Sequence, residues 1–212
     1  MDRYTQSRSI ATGFILSGSK FYYLLLYSVI KDKKKHTAAL ASFISDLKEQ
    51  SDHYFNANIQ FPGNPDVNLS FCLTLLVQMK MLIQQTENIF KLVNDYLNNE
   101  LDSTPDLQNK EFKTLNDSMS FYFNYAVHML KSNKFDDYNE LVSKEKFLFE
   151  KIGKLQKHQF KMSKKEEISV NQCIFSINLM EQSKMLLQNT GKLISEVKQF
   201  AEQNQKEEEI AE

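Results

Sequence analysis

The chain has 212 residues, with 26 Lys and Arg against 27 Asp and Glu and a formal net charge of −1. That length can bury a proper core, and that balance excludes a fold that holds nucleic acid through its overall charge. Five glycines and three prolines are too few for the turns of a sheet protein, so the predicted fold class is all-α.

A first helix is predicted from about Ile10 to Lys31, centred on Phe21-Tyr22-Tyr23-Leu24-Leu25-Leu26-Tyr27. This centre is apolar nearly all round, which implies burial on more than one side. The stretch Phe14 to Ile30 is short for a membrane span and carries Lys20 and Gly18, so it reads as a buried helix. The basic run Lys31, Lys33, Lys34, Lys35, His36 follows as a solvated loop, or else as a contact for acidic headgroups or an acidic partner.

A second helix is predicted from Thr37 to Phe55 on the spacing of Leu40, Phe43, Ile44 and Leu47, before Phe61-Pro62-Gly63-Asn64-Pro65 breaks the chain. A third begins near Asp66 or Asn68. Its stripe runs through Cys72, Leu75, Met79, Leu82, Ile89, Val93 and Tyr96, interrupted only by Thr86.

Thr104-Pro105 signals the start of a fourth helix that reaches Lys131. Asn133 is placed to cap a fifth, with Asp136 favouring its dipole and Phe135, Tyr138, Leu141, Val142, Leu148, Phe149, Ile152 and Leu155 pointing inward. Ser163-Lys164-Lys165-Glu166 has capping-box spacing and opens the sixth. From about Ala201 the periodicity stops, and residues 204–212 are expected to be a disordered charged tail.

Two of these helices look like copies of one another. Cys72-Leu73-Thr74-Leu75-Leu76-Val77-Gln78-Met79 is matched by Cys173-Ile174-Phe175-Ser176-Ile177-Asn178-Leu179-Met180. Asn88, Lys91 and Leu92 are matched by Asn189, Lys192 and Leu193 at the same offset of 101 positions. An internal repeat of this kind implies two equivalent supersecondary units. The expected architecture is a six-helix antiparallel bundle within residues 1–203, one repeat spanning about 10–101 and the other about 104–203. Both cysteines fall inside apolar runs and read as buried and unbridged. No secretory leader is read at the start, so the expected compartment is reducing and cytosolic.

No Gly-rich phosphate loop is present, and His36, His53, His128 and His158 lie far apart without an i, i+4 partner. Asp52-His53 reads as an exposed helical pair in preference to an oriented base. The pairs Glu100/Asp102, Asp136/Asp137 and Glu166/Glu167 sit at helix ends, where solvation explains them. The sequence therefore predicts no catalytic residue, no metal and no cofactor. The aromatic-rich first helix and the run Phe121-Tyr122-Phe123-Asn124-Tyr125 supply the candidate partner or self-association contacts, Tyr23, Tyr27, Phe121 and Tyr125.

Three helices, a repeat and a third helix with a mid-helix Asn resemble the PhoU family of phosphate-regulatory proteins. The similarity is to the cytoplasmic regions attached to bacterial inorganic phosphate transporters. The family's third helices carry a stretch of the type Glu-Arg-Ile-Gly-Asp-His-x-x-Asn-Ile. Here Glu181 to Thr190 lies over it with Glu181 and Asn189 matching, and Lys80 to Ile89 with Asn88 and Ile89 matching. The resemblance implies a non-catalytic regulatory domain on a membrane transporter, with a homo-oligomer as a further possibility and no nucleic acid. It also implies a metal site of carboxylates four residues apart. This chain departs there, with Met185 opposite Glu181 and Lys80 opposite Gln84, and a hard-cation cluster is not expected. The alternative reading is a structural helical adaptor unrelated to phosphate.

Overall fold

The computed structural model describes residues 3–31, 37–59, 68–98 and 106–211. It is all-helical, with six helices: α1 (Arg3–Ile30), α2 (Thr37–Ile59), α3 (Asn68–Asn98), α4 (Asp106–Ser132), α5 (Tyr138–Lys164) and α6 (Val170–Ala211). Among the described residues there is no strand. The Lys33–His36 run, the Pro62/Pro65 breaker and the Thr104-Pro105 start signal lie outside the described residues.

Cross-helix contacts set the directions. Phe71 stacks on Phe200 at 3.9 Å and Tyr96 on Phe175 at 3.7 Å, so α3 and α6 run antiparallel. α1 and α4 are antiparallel as well, with Tyr4 bonded to Asn133 and Tyr22 edge-on to Phe123. α2 lies along α3 and α5 along α6 as outer members.

α1 is long and apolar enough by composition to cross a membrane. Here it packs against α2, α3, α4 and α6, which is where its nearly continuous apolar surface goes. Phe14, Phe21, Tyr22, Leu25, Leu26 and Val29 are all buried in one large core. Burial of such side chains supplies about 1.5–3 kcal/mol each, and no other term favours the fold as strongly. The predicted α3 stripe is the observed one. Thr86, its interruption, is buried with its hydroxyl donating to the Leu82 carbonyl at 2.7 Å.

Several local expectations give way to tertiary geometry. Asn133 does not cap α5; it ends α4 in the left-handed region (φ 55°), and Asp137 takes the N-cap of α5. Ser163 does not open α6. Its carbonyl accepts from Glu166 N–H at 3.1 Å while Glu167 N–H reaches Met162 O at 3.0 Å, a Schellman closure of α5 with Glu166 at φ 59°. The capping box that opens α6 is Ser169 with Gln172: Ser169 N–H donates to Gln172 Oε1 at 2.9 Å, and Gln172 N–H to Ser169 Oγ at 3.2 Å. Val142 faces solvent, because Leu141, Leu148 and Ile152 define the inward stripe one residue step away. α6 also stays helical to Ala211 where a disordered tail is expected from residue 204. A Lys198–Glu202 pair at i, i+4 ties its last buried turns to the polar extension.

Candidate interaction surfaces

The Tyr23 and Tyr27 rings lie on the outer side of α1, stacked at 6.4 Å between centroids. Tyr23 is 48% exposed and Tyr27 is half-buried. One residue step around the helix, Tyr22 is fully buried and shares a 2.7 Å hydrogen bond with Ser183 of α6. Burial pushes the Tyr22 hydroxyl well above the usual phenol range, so it stays neutral and works as a hydrogen-bonding strut.

Phe121 belongs to a second surface, the groove between α4 and α5, and Tyr125 lies one turn further along α4, outside its walls. The groove encloses about 510 Å³, and Phe121, Phe147, Leu148 and Ser118 are among its walls. Lys144 stands over both predicted rings, 5.2 Å from the Phe121 centroid and 4.7 Å from that of Tyr125. Glu140 ties this corner together, pairing with Lys144 and accepting from Tyr125 OH at 2.9 Å. Those two hydrogen bonds hold the Glu140 carboxyl below its usual range, Lys144 contributing most. Desolvation and then Glu140 push Tyr125 up to about 12. Phe121 is 60% exposed and Phe147 is 64% exposed, so the groove has an open apolar mouth.

Deeper in the second half of the chain, polar groups join α4, α5 and α6. Gln108 Nε2 donates to Gln159 Oε1 at 2.8 Å and also reaches Ser176 Oγ. Gln159 in turn donates to Glu111, whose other oxygen meets His158 Nδ1 at 2.7 Å. Gln108, Gln159 and Ser176 are fully buried. With both carboxylate oxygens of Glu111 engaged by α5, this His–acid pair acts as a fastening between helices. Sequence reasoning missed it because the partners are 47 to 68 positions apart.

A third contact explains one glycine. A Cβ on Gly191 would lie 2.4 Å from Glu145 Oε2 and 3.3 Å from Tyr122 OH, so a larger residue there would displace the Glu145 carboxylate. Glu145 is half-buried, and desolvation raises its pKa despite the Tyr122 hydrogen bond and the charge of Lys192.

The positions that the family resemblance assigns to metal do not fit one. Lys80, Gln84, Glu181 and Met185 are all exposed. Lys80 is paired with Asp52 at 2.7 Å, and Glu181 with Lys184 at 2.7 Å and with Gln156. A thioether, an amide and an ammonium cannot replace carboxylates around a hard cation. Among the described residues no three His, Cys, Asp or Glu side chains gather at one place. Both cysteines are buried and neither is in a disulfide.

Compared with protein-family models the sequence matches none, and the comparison with curated proteins finds no match either.

Proposed function

We propose that the chain is a non-catalytic, PhoU-like regulatory domain associated with phosphate transport, made of two three-helix repeats and held at the cytoplasmic face of the membrane by a transporter. The observation that carries the reading is a repeated burial pattern. Phe71, Cys72, Leu75, Met79, Leu82, Gln85, Thr86, Ile89, Val93 and Tyr96 are buried in α3, and so are their counterparts 101 positions later in α6, from Gln172 to Val197. The match breaks at Ile83 and Leu97, opposite half-buried Lys184 and Lys198, and at Asn88, which is exposed where Asn189 is buried.

The surroundings of the cysteines agree with this. Cys72 lies beside Tyr54, late in α2, and Cys173 clusters with Met162, late in α5, so each sits where the second and third helices of its set meet. Across α3 and α6, Gln85 Nε2 donates to the Gln182 carbonyl at 3.1 Å, midway between the two ring stacks. Two copies of one unit meeting through their third helices would cross at such a midpoint. Such a domain acts by binding one conformation of its membrane partner better than the other, through Tyr23, Tyr27, Phe121 and Tyr125. The polar fastening of Glu111 and His158 is structural in this reading.

Phosphate uptake tests it. Cells carrying the chain with Tyr23→Ser, Phe121→Ser and Tyr125→Ser should lose phosphate-dependent control of uptake, and the wild-type chain should co-purify with a phosphate transporter. Unchanged control of uptake together with no transporter in the purified complex would leave the adaptor reading in its place.

A further inference from the structure

The outward face of α5 is strongly basic. α5 carries seven lysines against three glutamates. On a helix of 3.6 residues per turn, Lys146, Lys154, Lys157, Lys161 and Lys164 fall within an arc of about 80° and span about 27 Å of axis. That arc lies opposite the buried stripe of Leu141, Leu148, Ile152, Gln159 and Met162. All five lysines are exposed, and none has an ion-pair partner among the described residues. One carboxylate, Glu150, stands among them.

Two phenylalanines border this strip. Phe147 is 64% exposed and Phe160 is 55% exposed, one at each edge of the arc and about 20 Å apart along the axis. Among the described residues nothing covers these rings, and water-facing rings at both margins of an unpaired lysine strip cost solvation. α2, the other outer helix, has one lysine against Asp46, Glu49 and Asp52, so the basic face does not come with the architecture.

We propose that α5 docks the chain on a bilayer surface rich in anionic phospholipid, the lysines meeting headgroup phosphates and Phe147 and Phe160 lying against the headgroup layer on either flank. A straight helix with cations along its crest and rings on both flanks fits a planar anionic interface. A single-stranded nucleic acid stacks successive bases on rings set in a row along its path, whereas these two rings stand about 20 Å apart on opposite flanks of the lysines, and an acidic protein surface gives no reason for rings on both sides. The proposal does not depend on phosphate transport, since it requires lipid alone.

Co-sedimentation of the 212-residue chain with vesicles tests it. Binding is expected to phosphatidylcholine vesicles containing phosphatidylglycerol, with little to phosphatidylcholine alone, and to weaken as salt rises from 50 to 500 mM. At roughly fivefold per lysine, Lys154→Gln, Lys157→Gln and Lys161→Gln together should weaken partitioning about a hundredfold. Phe147→Ser with Phe160→Ser should remove the binding that survives high salt. Circular dichroism should match wild type in both variants, because every substituted group is exposed. Three results would overturn the proposal: equal binding to neutral vesicles, unchanged binding by the lysine variant, or tighter binding to a single-stranded oligonucleotide than to anionic vesicles. A dimer in sedimentation velocity that the lysine variant disperses would also overturn it, by assigning the face to a second copy.

Discussion

The two ring stacks at the ends of the α3–α6 seam make a sharp test of the architecture. Phe175 is buried against Tyr96 and meets Phe112 edge-on at 6.2 Å; Phe200 is buried against Phe71 and meets Tyr4 at 5.6 Å. Truncating either to alanine should cost about 3–5 kcal/mol. The double alanine variant would then approach the whole stability of a domain, about 5–15 kcal/mol, so leucine is the better probe. Each Phe→Leu removes two aromatic pairs of about 0.5–1.5 kcal/mol apiece and keeps most of the buried area, which predicts about 1–3 kcal/mol per site. The sites are about 38 Å apart along α3, so the costs should add to within about 0.5 kcal/mol. Urea melts of Phe175→Leu, Phe200→Leu and the double variant measure this directly. A loss below about 0.5 kcal/mol at either site would refute the seam as described, since a ring with two aromatic partners cannot be that expendable.

Replacing Tyr23 and Tyr27 with Ser should lower the unfolding free energy by no more than about 1 kcal/mol, whereas Tyr22→Ala should cost about 3–5 kcal/mol; a collapse of the fold in the double Ser variant would place those rings in the core. Glu145→Gln should stabilise the protein at neutral pH. The raised pKa means that the native state prefers the protonated acid, so the advantage disappears as pH falls toward 4.5, the ordinary carboxyl value, and grows as pH rises through the folded-state pKa. Denaturation midpoints of both proteins across pH 4–8 read the sign, and a Gln variant less stable at pH 8 would contradict it. Elemental analysis should find no stoichiometric iron, zinc or manganese, and a chelator should leave the thermal midpoint unchanged; a metal ligated by Glu181 would reverse this reading of the exposed face.

Much of the fold is legible from periodicity, because a long helix repeats its burial rule every turn. The α3 stripe from Cys72 to Tyr96 can be read directly, and so can the helical class. Helix ends are less legible. Ser163 and Ser169 both precede a Glu or Gln by three positions, and only the second box closes. The choice between them depends on Glu166 accepting a left-handed conformation, which no local pattern requires. The candidate contacts divide in the same way. Phe121 and Tyr125 stand out by composition, but their shared cation, Lys144, comes from another helix. The α5 lysine strip was not singled out from the sequence, although its spacing is written there. Its significance depends on which face α4 and α6 leave uncovered.

Both halves expose apolar side chains, Tyr23, Val77 and Met81 in the first and Phe121, Phe147 and Phe160 in the second, but the two halves pack differently. α1 packs on α3 and α6 alike, while α4 touches α6 only marginally. α1 can do so because Phe21, Tyr22, Leu25 and Leu26 give it buried positions on more than one side. α4 has a narrower stripe, in which Phe112, Leu115, Met119, Tyr122 and Ala126 are buried while Asp117, Phe121 and Asn124 face out. Its outer side therefore meets only α5, across the groove whose mouth carries Phe121 and Phe147. On the proposed two-repeat reading, an unchanged copy would bury equivalent positions equally in both halves. The narrower stripe of α4 gives up some of that burial, and the apolar surface left exposed lies beside the lysine strip of α5. In the readings proposed above, Phe121, Phe147 and Phe160 along the α4–α5 edge are the rings a partner would cover.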